Sequence, residues 1–219
     1  MADNGPDGSS EMWVDVFDEI IIELGNETWL GAFFYSYPET TTGNSAENYA
    51  KHAEYYYDIM RNDNASYPNP KWQSSYDDKF TFLLNGTAAS FSNEYGSQAI
   101  KEINDPFAAE GTMTAIYLFG WNPAGDSDVF GEFTDDALEG ILVFPPRNMN
   151  ETIDEFVRVK LADEALGFDY DLYTYESGGG YPIPEPGKET PFSQEQIMKS
   201  LAASSAYFDN MMHRFYRGF

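Results

Sequence analysis

Between Met12 and Leu24 the apolar residues Met12, Val14, Val16, Ile20, Ile22 and Leu24 fall on alternate positions, broken at Asp18, and this period of two predicts a β-strand. Thr28 to Tyr37, rich in aromatics and closed by Pro38, predicts a second. The period then changes. From Ser45, which suits an N-cap, Tyr49, Ala53, Tyr56, Tyr57 and Met60 recur at helical spacing. Arg61 to Asp78 holds Asn, Asp, Ser and two prolines and predicts a long excursion loop.

Lys79–Leu84, Asn85-Gly86 and Thr87–Ser92 predict a hairpin, because Asn-Gly accommodates the positive φ angles of a type I′ turn. Thr112 to Trp121 predicts another strand, followed by the Asn122–Asp128 loop. Val129–Phe133 and Leu138–Phe144 are expected to pair, with Pro145-Pro146 ending the run. Phe156 to Ala162 alternates Val157, Val159 and Leu161 against Arg158 and Lys160. In Phe168 to Glu176, Phe168, Tyr170 and Leu172 lie opposite Asp169, Asp171, Tyr173 and Tyr175. Gly178-Gly179-Gly180 through Pro191, with four prolines, predicts an extended linker. Ser193 and Gln196 form a capping box for a last helix, whose apolar side is Ile197, Leu201, Ser205, Phe208, Met212 and Phe215.

With no alternating βα rhythm, the expected fold is mainly β. It is a single jelly-roll β-sandwich of about eight strands, with a C-terminal helix and a short helix in an inserted loop. The expected parts are an N-terminal arm at 1–10, the sandwich at 11–177 with insertions at 45–78, and a linker and helix at 178–219 packing on the sandwich or a neighbour.

Charge changes the picture more than any motif. The chain of 219 residues has 37 acids against 12 bases, a net charge of -25, and ten acids precede its first base, Lys51. That balance argues against binding nucleic acid through a basic groove. Aromatic residues make up 17% of the chain, enough to bury a core despite the charge. The absence of cysteine excludes disulfides, thiolate catalysis and cysteine-based zinc sites. Met1–Ser10 lacks the basic and apolar regions of a signal peptide, and no apolar run nears the roughly 18 residues of a membrane span. In molar salt the Debye length falls to about 3 Å, so carboxylates repel little. A calcium-rich exterior or an acidic medium would also relieve them. Because the acids are spread along the chain, molar salt is the expected setting.

Candidate chemistry is sparse. His52 and His213 have no nucleophile context and read as packing or surface residues. Paired carboxylates, with Trp29, Trp72 and Trp121 as stacking platforms, keep open the alternative of a secreted or surface carbohydrate-active sandwich, a glycosidase or a sugar-binding module. Asp15-Val16-Phe17-Asp18-Glu19 approaches a laminarinase-like strand signature but has Trp13 where the leading Glu belongs. Asn122, Asp126 and Asp128 share one glycine-containing loop and form a weak candidate metal site, so inorganic cations are the only cofactors in view. Sequons occur at Asn26, Asn64, Asn85 and Asn150, where Asn85 is better explained by its turn. The tail is basic, aromatic and Met-rich, and His213, Arg214, Phe215, Tyr216, Arg217 and Phe219 are the expected assembly contacts.

Chain length, acid excess, absence of Cys, the expected strands from Met12 to Glu176 and the Met1–Ser10 arm together resemble a family. It is the single-jelly-roll major capsid proteins of sphaerolipovirus-type haloarchaeal icosahedral viruses with an internal membrane. The resemblance implies a structural virion protein, not an enzyme, assembled in a high-salt host cytoplasm. It implies upright jelly rolls in capsomers, partners that are other copies and a second capsid protein, and an internal lipid membrane nearby. It supplies no catalytic residue.

Overall fold

The structure, a computed structural model, describes residues 12–25, 28, 45–61, 65–66, 68, 72–88, 94–103, 109–117, 135–178 and 199–219. Its elements in chain order are α1 (Trp13–Val16), β1 (Ile20–Glu23), α2 (Ser45–Arg61), a 3-10 turn (Ser74–Lys79), β2 (Phe80–Ala88), α3 (Tyr95–Glu102), β3 (Gly111–Tyr117), α4 (Asp135–Glu164), β4 (Asp171–Gly178) and α5 (Leu201–Tyr216). The strands form one parallel sheet in the order β1-β2-β3-β4, with a helix in every connection. β1 runs parallel to β2, with Ile20 opposite Phe80 and Glu23 opposite Leu83.

This is an α/β architecture and it overturns the expected jelly roll. Three elements account for the difference. The hairpin at Asn85-Gly86 does not exist, because β2 runs unbroken through both residues. Gly86 is not among the positive-φ glycines, and Asn85 is fully buried. Phe80, Phe82, Leu83 and Leu84 are all buried too, so β2 is covered on both faces, as a strand of a parallel sheet is.

The second difference is α4. It absorbs Leu138–Phe144, Pro145-Pro146 and Phe156–Ala162, which alternation had assigned to strands and a stop. At 100° per residue Ile153, Phe156, Val157 and Val159 share one broad side, and all are buried. Leu161, which alternation would bury with Val157 and Val159, is 57% exposed. Ion pairs Arg147–Glu151, Arg158–Glu155 and Lys160–Glu164 sit three or four residues apart, where helical neighbours meet. Third, Met12–Leu24 divides at Asp18 into α1 and β1. Lys79 Nζ donates to the carbonyls of Val14 (2.8 Å) and Phe17 (3.2 Å) at the end of α1, leaving only Ile20–Glu23 to pair.

Other expectations kept their type. α2 begins at Ser45, β3 falls within Thr112–Trp121 apart from its first residue, and β4 overlaps Phe168–Glu176, with Tyr170 and Leu172 buried and Asp169 and Asp171 exposed. The excursion loop gains the 3-10 turn. The last helix begins at Leu201, capped by Ser200, whose Oγ accepts from Ala203 N at 3.1 Å. The arm at 1–10, most of Thr28–Tyr37, Val129–Phe133, the linker after Gly178, and Ser193, Gln196 and Ile197 lie outside the described residues.

The chain divides into two compact units, 1–85 with 95–112, and 86–94 with 113–219. In the first, α2 packs against α3, and its Ala50, Ala53 and Tyr57 are buried. Tyr57 and Phe82 have ring centroids 4.7 Å apart, and each such aromatic burial contributes about 1.5–3 kcal/mol. In the second, α4 packs against α5.

Candidate functional site

Parallel α/β sheets place functional groups at the carboxyl ends of their strands. Here β1 ends in Glu23, which sits beside a buried polar cluster. Asn85 on β2 is its centre: Asn85 Nδ2 donates to Glu23 Oε1 at 2.5 Å, and its Oδ1 accepts from Thr28 N (2.9 Å) and Thr28 Oγ1 (3.0 Å). Two tyrosines from α2 complete it. Tyr49 Oη donates to Leu24 O (2.9 Å) and accepts from Asn85 N (2.6 Å). Tyr57 Oη donates to Leu83 O (2.6 Å) and accepts from Leu24 N (3.0 Å). The two lie eight residues apart on one face of α2, so both reach the strand ends.

Burial pushes the Glu23 carboxyl above the usual carboxylate range, opposed by the Asn85 hydrogen bond. It also pushes Tyr49 and Tyr57 well up, and Tyr95 up to about 12. These hydroxyls stay protonated, and those of Tyr49 and Tyr57 donate to main-chain carbonyls. The cluster therefore clamps β1, β2 and α2 together. Nearer the start of β2, Glu110 acts similarly: its Oε2 accepts from Phe82 N at 2.6 Å, and its Oε1 from Arg61 at 2.9 Å. The Arg61 guanidinium lies 4.1 Å from the Phe82 ring centroid. Burial raises the Glu110 carboxyl as well.

The second surface of interest is α5, and it is inverted. Its buried residues are Ala203, Ala206, Asn210 and Arg214, while Leu201, Phe208, Met211, Met212, Phe215 and Tyr216 are all exposed. Asp154 on α4 holds the polar side, accepting from Arg217 Nε at 2.7 Å and lying 2.9 Å from His213 Nε2. Asn210 Nδ2 donates to Asn150 Oδ1, and Asn150 Nδ2 to Asp209 Oδ2, both at 3.3 Å. Small and polar residues thus face α4, and the apolar side faces outward.

The predicted tail contacts divide accordingly. Phe215 and Tyr216 are highly exposed; Arg214 is buried; His213 and Arg217 engage Asp154; and Phe219 N returns to Arg214 O at 3.1 Å. Asn122, Asp126 and Asp128 lie outside the described residues, as do Trp29 and Trp121. Among the described residues no group of three His, Asp or Glu side chains is placed to hold a metal. Trp72 is no open platform, because it packs against Tyr76, Phe80 and Phe82 and donates to Asp77 Oδ1 at 2.9 Å. His52 lies half-buried on α2, and burial lowers its pKa. Asn85 is too buried to carry a glycan. Sequence reasoning missed the Glu23–Asn85 clamp and the Asp154 anchor. The signals available were a Glu closing the Ile20–Ile22 run and the Tyr49–Tyr57 spacing.

Compared with protein-family models, curated proteins and solved structures, the chain matches none. Among the described residues no helix is long and apolar enough to cross a membrane.

Proposed function

We propose that this chain is a structural protein that self-associates into an assembly maintained in molar salt. The virion shell implied by the sequence resemblance is the setting, with other copies and a second shell protein as partners. Upright jelly-roll capsomers are not part of the proposal, since the sheet is parallel and α/β. One observation carries the reading: α5 turns its apolar side away from α4, with Leu201 82% and Phe215 77% exposed. A helix that faces its own chain with Ala, Asn and Arg offers that side to another surface. High salt supplies the other requirement, shortening the reach of a -25 charge so that copies approach.

Sedimentation of the native protein in about 3 M and 0.1 M sodium chloride tests this. Fast-sedimenting species in high salt that dissociate on dilution of the salt are the expected result. A monomer at every salt and protein concentration would overturn it.

A further inference from the structure

We infer that the partner on α5 is a second copy of α5, packed antiparallel about a two-fold axis at Phe208; the inference rests on the self-association proposed above. Leu201, Phe208 and Phe215 are spaced seven residues apart, so they line one stripe of the helix. That stripe spans about 21 Å at 1.5 Å per residue. Ser204 and Ser205 flank it on one side of Phe208, and Met211 and Met212 on the other. All of these side chains are exposed.

The order of sizes makes the stripe self-complementary when reversed. In a two-fold pair residue i meets j and j meets i. Centring the axis on Phe208 stacks Phe208 on its copy and places Leu201 across from Phe215. The small Ser204 and Ser205 then lie across from the long Met211 and Met212, so each serine supplies the hole for a methionine knob. A parallel pair would set serine against serine at one end, leaving a void, and crowd methionine against methionine at the other.

Charge leaves the same occupant room to approach. The stripe itself carries no charged residue, and Asp209 at its edge is held by Asn150. Residues 199–219 hold Lys199, Arg214 and Arg217 against that one acid, in a chain where acids outnumber bases 37 to 12. This face is therefore one where a copy's acids meet no row of acids; in the reversed pair Lys199 falls across from Arg217, whose charge Asp154 engages. An anionic lipid surface fits less well, because Arg214 is buried and Arg217 is engaged by Asp154.

The cysteine-free chain allows a direct test in high salt. Phe208→Cys should form a covalent dimer on mild oxidation, while Leu166→Cys, more accessible at 71% exposure against 58% but off the stripe, should not. A mixture of Leu201→Cys and Phe215→Cys proteins should cross-link to each other in preference to themselves. Phe208→Glu should lower the dimer fraction at least tenfold, with an unchanged circular dichroism spectrum, since the side chain is already exposed. Fast sedimentation of the native protein without these cross-links overturns the α5 pair and leaves self-association standing. A native monomer overturns both. A monomer that floats with phosphatidylglycerol vesicles overturns both in favour of a membrane surface.

Discussion

Asn85 Nδ2 donates to Glu23 Oε1 at 2.5 Å, tying the last residue of β1 to the middle of its parallel neighbour β2. Asn85 is fully buried and Glu23 half-buried, so the contact places a carboxylate where ionisation is costly. The clamp holds the strand pair in register and makes the first unit sensitive to pH.

Glu23 has a folded pKa raised above its ordinary 4.5, chiefly by burial. Its contribution to stability is fully present below the unfolded pKa and is lost as pH rises through the folded value. Glu23→Gln keeps an acceptor for Asn85 and removes the proton. Measured by thermal unfolding in high salt, the variant should gain on the native protein between pH 4.5 and 7.5. An identical difference in Tm at the two pH values would remove Glu23 from the account.

Tyr49→Phe deletes one hydroxyl and orphans two main-chain groups, Asn85 N and Leu24 O. Each buried group left unpaired costs about 1–3 kcal/mol. Urea unfolding should show a lower midpoint with an unchanged slope. A loss below about 0.5 kcal/mol would mean that water reaches the site and replaces the hydroxyl.

Gly96 in α3 lies against the start of β3. A Cβ there would meet Thr112 Oγ1 at 2.3 Å and Thr112 Cβ at 3.0 Å, and Thr112 is itself buried. Gly96→Ala should therefore destabilise the fold by about 1–3 kcal/mol despite its better helix propensity. Gly96→Ala combined with Thr112→Ala should recover part of the loss, because the Thr112 Oγ1 that the new Cβ meets at 2.3 Å is then gone.

Asp154→Asn weakens the anchor that α4 offers to His213 and Arg217. The groups are partly exposed, so the global cost is about 0.2–1 kcal/mol. Hydrogen exchange should still report faster opening of α5 than of α2, since the lost contacts lie at one end of that helix. Equal acceleration in both helices would count against a local anchor.

Moving the protein from about 1 M to 0.1 M salt lengthens the Debye length from about 3 to 10 Å. With 37 acids on the chain, Tm should fall steeply over that range, and millimolar magnesium should restore part of it. A Tm independent of salt would sink the high-salt setting.

Several features were legible because they depend on local chemistry or on totals. The charge follows from counting. α2 followed from Tyr49, Ala53 and Tyr57 at helical spacing, and β3 and β4 from β-rich runs bounded by turn residues. The apolar stripe of α5 was also readable, from Leu201 through Phe215.

The chain's own order of residues thus determines its charge, its helical periodicities and which side of α5 is apolar. Tertiary structure alone decided three things. Asn85-Gly86 continues a strand because Glu23, Thr28 and Tyr49 bond the Asn85 side chain and main chain inside the fold, which a turn would expose to water. Leu138–Ala162 is helical because packing against α5 rewards a side 3.6 residues in period, while a short run such as Val157–Leu161 satisfies either period on its own. And the α5 stripe faces outward because Asp154 and Asn150 on α4 hold the helix by its polar side. Periodicity shows that a face is apolar; only the partner it meets decides whether that face turns inward.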